Sequence, residues 1–119
     1  MISEYVWVVE LAIKPGQLDE FRALMREMGA AIQANEPDTI NYELFISQDA
    51  RTCHIFEQYA DAPAVMTHLG HFQQRFAQRF AAVVDVTAFT VYGNPNDEVR
   101  QVLRGFGAVF MAPLTGFAR

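Results

Sequence analysis

The chain has 119 residues, which is the size of one domain and enough to bury a core of its own. Its 14 acidic and 9 basic side chains give a net charge of -5, so it lacks the basic stripe that nucleic acid requires and is repelled by an anionic membrane surface. Cys53 is the only cysteine, which excludes an intrachain disulfide and a Cys-rich metal cluster and makes the cytoplasm the default compartment.

The N-terminal run MISEYVWVVELAI predicts a strand over Tyr5 to Ile13, because Val, Trp, Tyr and Ile suit a pleated and covered surface. The run lacks the basic start of a signal peptide, since Glu4 is acidic, and it is too short to span a bilayer. We therefore expect a strand here and not an export signal.

A helix and a hairpin are predicted next. Lys14-Pro15-Gly16 ends the strand, and apolar residues then recur at spacings of three and four until Asn35-Glu36-Pro37, which predicts an amphipathic helix. Two alternating runs, Ile40 to Ile46 and Thr52 to Tyr59, flank the polar turn Ser47 to Arg51 and predict an antiparallel hairpin.

The following segment predicts two helical runs and a fourth strand. Asp61 can cap the first run and Pro63 suits its first turn, while Gly70 is expected to interrupt it and to begin the second. Val84 to Tyr92 is the fourth strand. The order predicts an α+β, ferredoxin-like split βαβ fold, with the helices on one face of a four-stranded antiparallel sheet.

The other face of that sheet is predicted to be uncovered and apolar. Successive side chains of a strand point to opposite faces of the sheet. Phe45 therefore lies on the face opposite to Leu44, and Phe56 on the face opposite to Ile55, so both faces of these strands carry apolar residues. This chain has too few further elements to hide the second face. We therefore expect a homodimer in which two sheets pack face to face.

The predicted domain covers residues 1–93, and residues 94–119 form a C-terminal extension. Asn94-Pro95-Asn96 is expected to open a short helix that ends near Arg104. The rest is too apolar for a free tail, and we expect it to pack on its own domain or on the dimer mate. The alternative is a lid over the entrance of a pocket.

His68 and His71 are candidate catalytic residues. No Gly-rich phosphate loop, CxxC, HExxH or GxSxG pattern occurs, so nucleotide, zinc and serine-hydrolase functions lack sequence support. A histidine near its ordinary pKa can accept a proton from a phenol or hydroquinone at neutral pH. Both could equally cap backbone carbonyls or be solvated. His54 is expected to point to the open face of the sheet, which argues against a catalytic metal.

Glu57 is the third candidate catalytic residue. A carboxylate among apolar strand residues needs a partner such as Arg75, Arg79 or a histidine, and a structural salt bridge is the alternative role. Arg75 and Tyr42 are also candidates for stabilising a bound anion. Aromatic residues could line a flat pocket for a planar substrate or could be ordinary core, and these are Tyr5, Trp7, Tyr42, Tyr59 and Phe72.

Four pieces of the sequence carry a family resemblance. The chain contains, in order, PDTINYELF, a hairpin turn, FEQYADAPAV and HLGHF. They resemble the Y-x-L-F, E-x-[WY]-x-D and H-L-x-x-x-H-F patterns of the antibiotic biosynthesis monooxygenase family, the last being shortened here. The resemblance covers Tyr5 to Tyr92, and the matching site positions are Glu57, Tyr59, His68 and Phe72.

The resemblance implies a dimeric α+β barrel and a monooxygenase that needs no cofactor and oxidises a quinol, phenol or anthrone with molecular oxygen. It does not extend to the haem-degrading branch, which uses Asn, Trp and His where this chain has Val9, His68 and Phe76. Two alternatives remain, because a fold does not decide a function. One is a non-catalytic small-molecule binding module, and the other is an oxygen-independent isomerase or decarboxylase with a histidine base.

Overall fold

The computed structural model describes residues 5–119, so the start of the predicted 1–93 domain, including Glu4, lies outside the described residues. The strand order in the sheet is β2-β3-β1-β4-β5. The elements are β1 (Val6–Ile13), α1 (Leu18–Asn35), β2 (Thr39–Ile46), β3 (Thr52–Tyr59), α2 (Ala62–Arg75), α3 (Ala77–Val83), β4 (Val84–Tyr92), α4 (Asp97–Gly105) and β5 (Val109–Met111).

The central strand is β1, which carries the apolar run VWVV. It pairs antiparallel with β3 and β4, so that Trp7 lies between Glu57 and Val91, and β2 pairs antiparallel with β3. This arrangement confirms the ferredoxin-like α+β fold.

The sheet has five strands and is mixed, whereas four antiparallel strands were predicted. β5 runs parallel to β4, with Thr90 opposite Val109 and Tyr92 opposite Met111. A parallel neighbour requires a crossover connection, which α4 provides. The start of α4 is as predicted, since the Asn96 side chain accepts a hydrogen bond from the backbone N–H of Val99 at 2.9 Å.

α2 continues through Gly70, so the predicted interruption there is wrong. The break between α2 and α3 falls at Phe76, which is buried. The predicted start is confirmed, because Asp61 accepts a hydrogen bond from the backbone N–H of Ala64 at 2.9 Å. A glycine inside a helix costs only about 1 kcal/mol, which packing on either side can offset. The continuous helix places His68 and His71 one turn apart on one side.

The helices cover one face of the sheet. Buried residues of α1, such as Met28, join Trp7, Val9 and Leu11 of β1 in one core cluster. The opposite face carries large apolar side chains that are 43% to 59% exposed, namely Phe45, Tyr92, Val109 and Met111. Residues 5–119 therefore leave an apolar sheet face uncovered, as the alternation predicts.

The C-terminal extension divides at Met111. Up to that residue it packs on the domain, with Val99 and Leu103 of α4 fully buried. Beyond it Leu114 is 95% exposed and Phe117 is 81% exposed, so the expected packing on the same domain does not occur there. Packing of residues 112–119 on a dimer mate stays a prediction. Nowhere within residues 5–119 does a helix have both the length and the apolar character needed to cross a bilayer.

Candidate active site

A cavity of about 280 Å³ lies between the helix-covered face of the sheet and helices α2 and α3. Glu57 and His68 are the charged side chains of its wall within the described part of the chain, and the rest of the lining is mostly apolar. Three of the predicted substrate-binding aromatic residues line it, namely Trp7, Tyr42 and Phe72. Others that the sequence did not single out for the wall include Phe80, Phe89 and Phe106.

His68 occupies a core position of α2. The buried residues of this helix are Ala64, Val65, His68 and Leu69, which follow the helical spacing of three and four. A buried imidazole needs hydrogen-bond partners on both nitrogens. The Nε2 atom lies 3.2 Å from Oε1 of Glu57, and Nδ1 lies 3.0 Å from Oε1 of Glu36.

Glu36 is a site residue that the sequence did not reveal. It caps the C-terminus of α1, where its backbone N–H donates to the carbonyl of Ile32, and its side chain is buried. Oε1 also accepts from the Thr39 hydroxyl at 3.2 Å, and Oε2 lies 3.1 Å from Nδ1 of His71. A glutamate before a proline at a helix end is typical of a solvated terminus, so the sequence held no signal of this burial.

Glu57 is held by His68 and Tyr59. The Tyr59 hydroxyl donates to Oε1 of Glu57 at 2.5 Å, and the same oxygen faces His68. Its second oxygen, Oε2, has no hydrogen-bond partner among residues 5–119. Glu57 therefore keeps an acceptor position for a ligand at the cavity wall.

The predicted arginine partners of Glu57 are wrong. Arg79 pairs with Glu27 at 2.6 Å on the surface. Arg75 is exposed in the last turn of α2, with its guanidinium 5.2 Å from the centre of the Phe76 ring, and it does not line the cavity. A cation is favoured at the C-terminal end of a helix, which accounts for this placement. Of the predicted partners, only a histidine contacts Glu57.

The two glutamates keep His68 charged. Burial lowers the pKa of His68, but the hydrogen bonds to Glu36 and Glu57 and their charges outweigh it and raise the pKa to about 9. Burial would raise the pKa of Glu36, yet its hydrogen bonds from His68, His71 and Thr39 and the charge on His68 lower it. The expectation that His68 titrates near its ordinary pKa is therefore wrong. With two carboxylates and one imidazolium, this triad (Glu36, His68 and Glu57) carries a net charge of about -1.

Two tyrosines beside the triad stay neutral. Burial and the charge of Glu57 raise the pKa of both Tyr42 and Tyr59 well above the ordinary value. The ring of Tyr42 lies 6.0 Å from that of His68, and its hydroxyl has no hydrogen-bond partner in the described chain. Tyr42 can therefore donate a hydrogen bond to a ligand in the cavity.

The remaining candidates lie outside the cavity wall. His71 contacts Glu36 instead, and its side chain is 38% exposed. Tyr59 is fully buried behind Glu57. His54 lies on the open face of the sheet, as predicted, with Nε2 3.3 Å from Oε1 of Glu10. The geometry thus separates His68, which faces the cavity, from His71, which faces solvent.

Comparisons with known proteins agree with the fold. A family model described as antibiotic biosynthesis monooxygenase matches residues 5–79. MupZ from Pseudomonas fluorescens is similar at 19% identity and a TM-score of 0.77, over 96% of this chain and 93% of that one. A putative antibiotic biosynthesis monooxygenase from Bacteroides thetaiotaomicron is 22% identical with a TM-score of 0.60, over 71% and 81% of the two chains. Another solved antibiotic biosynthesis monooxygenase is 27% identical with a TM-score of 0.58, over 69% and 90%. No curated protein matches the chain.

Proposed function

This chain belongs to the antibiotic biosynthesis monooxygenase family, and from that premise we propose that it is a monooxygenase that oxidises a small hydroxylated aromatic compound with molecular oxygen and without a cofactor. The substrate class is a quinol, a phenol or an anthrone in its enol form. The observation that supports this best is the open acceptor oxygen of Glu57 at the wall of an aromatic cavity.

The cavity favours a small, planar and neutral ligand. Its volume of about 280 Å³ is near the lower end of ligand pockets, which start at about 300 Å³. Trp7, Phe72 and Phe89 offer ring faces and edges for stacking. Because the triad has a net negative charge and no Lys or Arg of the described chain lines the wall, an anionic substrate is disfavoured.

Glu57 is the proposed general base. The sequence offered His68 and His71 as candidate bases, but His68 is already protonated at neutral pH and so cannot accept another proton. When the substrate hydroxyl gives its proton to Oε2 of Glu57, its oxygen keeps the bonding electron pair and becomes an anion. Tyr42, whose ring lies 6.0 Å from that of His68, then donates a hydrogen bond to that anion and stabilises it.

The substrate anion supplies the electrons for the oxygen step. It transfers one electron to oxygen, and the resulting radical pair joins in a carbon–oxygen bond to give a peroxide anion. The proton held on Glu57 returns to the peroxide, which eliminates water across its carbon–hydrogen bond and leaves a carbonyl product. The protein contributes orientation and the exclusion of bulk water.

We also propose that two copies pair through their open sheet faces, as the resemblance implies. The exposed side chains of Phe45, Tyr92, Val109 and Met111 supply the apolar surface for such a contact. The exposed Leu114 and Phe117 are available to the partner subunit. A chain whose single cysteine, Cys53, has no intrachain partner is consistent with the cytoplasm as the place of action.

Oxygen uptake by the metal-stripped protein tests the activity. The panel consists of hydroquinones, naphthols and anthrones, and the control is the Glu57→Gln variant, which keeps the side-chain size. We expect uptake with the parent protein and almost none with the variant. Ligand-induced stabilisation without oxygen uptake on any compound would point to the binding module instead. Product formation under strict anaerobiosis would point to the isomerase or decarboxylase.

A further inference from the structure

A second depression, of about 90 Å³, lies on the other side of the triad from the cavity. Its lining is mixed, and the polar part consists of Glu36, Asp38, Thr39 and Thr67. Glu36 does not line the cavity, whereas Glu57 does not line the depression. His68 bridges the two carboxylates, so the triad extends from the cavity to the depression on the surface.

The hydrogen bonds continue from the triad to solvent. Nε2 of His68 lies 3.2 Å from Glu57, and its Nδ1 lies 3.0 Å from Oε1 of Glu36. Oε2 of Glu36 lies 3.1 Å from Nδ1 of His71, whose side chain is 38% exposed. Every link is within hydrogen-bond distance. Four residues therefore connect the cavity wall with the protein surface.

We propose that Glu36 and His71 form a proton path that keeps the Glu57–His68 pair in exchange with solvent while a ligand fills the cavity. The path rests on the proposed function, because the proton that it releases balances the proton that Glu57 takes from the substrate hydroxyl. A bound ligand covers Glu57 and the Nε2 side of His68. The Nδ1 side stays connected through Glu36.

The proton transfers along the path balance. When Glu57 takes the substrate proton, His68 gives the proton on Nδ1 to Glu36. The ring of His71, whose Nδ1–H donates to the ionised Glu36, then turns so that its unprotonated Nε2 accepts that proton, and His71 releases the proton on its Nδ1 to water. The triad keeps its net charge, since Glu57 and His68 become neutral and Glu36 stays ionised. The reverse sequence restores the imidazolium after the product has left.

A pH jump on a bound chromophore tests the path. A nitrophenol, whose anion absorbs visible light, is bound to the protein under anaerobic conditions, and the conversion between its two forms is followed by stopped flow. We expect the Glu36→Gln and His71→Gln variants to slow this conversion by about tenfold or more. Imidazole added to the buffer should restore the rate in His71→Gln. The matched control is Glu27→Gln, which changes an exposed glutamate of α1 that pairs with Arg79 on the surface and should behave like the parent protein.

Equal rates in the parent protein and in His71→Gln, or no response of that variant to imidazole, would overturn the role of His71. Equal rates in Glu36→Gln would overturn the whole path. His71 is partly exposed, so its variant serves even where the buried Glu36 variant does not fold. The chromophore reports on the path without oxygen chemistry. A normal pH-jump result combined with no oxygen uptake by any substrate would therefore overturn the proposed function and leave the path standing.

Discussion

Glu57 and His68 form a buried ion pair at the wall of the cavity, with 3.2 Å between Oε1 and Nε2. The two residues are about 5% to 6% exposed. Because little solvent reaches them, the two charges stabilise each other. Glu36 further stabilises the charge of His68, and the Tyr59 hydroxyl that of Glu57. The pair therefore has a role in proton transfer and a role in the stability of the fold. Turnover measurements test the first role, and unfolding measurements test the second.

The chemical role predicts a large loss of turnover in Glu57→Gln. The amide keeps the size of the side chain but cannot accept a proton, so we expect oxygen uptake to fall by about 10²- to 10⁴-fold. Binding of a nitrophenol should persist, as measured by its absorbance change. Full turnover in this variant would show that another group is the base.

The structural role predicts that His68→Ala is strongly destabilised. Removing the imidazolium leaves two buried carboxylates close together, and breaking a buried pair costs about 3–5 kcal/mol. Urea unfolding followed by circular dichroism measures this loss. The matched comparison is Arg79→Ala, which removes the surface pair with Glu27 and should change stability far less.

Stability should fall at alkaline pH because of His68. Its pKa is raised from 6.5 to about 9 in the folded protein, so its contribution is fully present below pH 6.5 and is lost as the pH rises through about 9. The loss amounts to about 3 kcal/mol if the unfolded value is the ordinary one. Urea midpoints measured across this range should decline in the parent protein. A His68→Gln variant should show a much flatter profile.

The loss of stability at acidic pH should come from Glu36. Its pKa lies below the ordinary value in the folded protein, so its contribution is present above that ordinary value and is lost as the pH falls towards the folded pKa. In Glu36→Gln this part of the stability profile should disappear. An unchanged loss at acidic pH would mean that other carboxylates determine it.

Gly70→Ala should stabilise the protein. The residue lies within the continuous α2, and a Cβ placed there would meet no other atom within 4 Å. Alanine favours a helix over glycine by about 1 kcal/mol, and thermal unfolding should show the gain. Gly107→Ala is the control, because its φ of +82° is strained for alanine and the change should destabilise.

Much of the fold could be predicted from the sequence because its signals are local. Turn residues and periodicity located β3, which has the predicted bounds Thr52–Tyr59, and β4, which has the bounds Val84–Tyr92. β5 has only three residues, too few to show an alternation. The break was expected at Gly70 because glycine is a weak helix former, but α2 continues to Arg75 and the break falls at the buried Phe76.

The site was predictable only where it lies on periodic segments. Glu57 and Tyr42 alternate along strands, and His68 follows the helical spacing of buried residues, so each could be placed on a face. Glu36 meets His68 across 32 residues of chain, and no local pattern records that contact. Its partnership also sets the charge of His68, which is why the protonation state of this histidine was mispredicted.

The cavity wall is built from two parts of the chain, one inside and one outside the segment that the family model matches. Glu57 and His68 lie inside the family-matched segment 5–79, whereas Phe89 and Phe106 come from later in the chain. Phe106 directly follows α4, so a longer or shorter α4 would move its ring without disturbing the ion pair. Changes in the length or sequence of the C-terminal extension can thus alter which molecules fit the cavity. The Glu57–His68 pair on the other wall, and the proton transfer that it carries out, would stay the same.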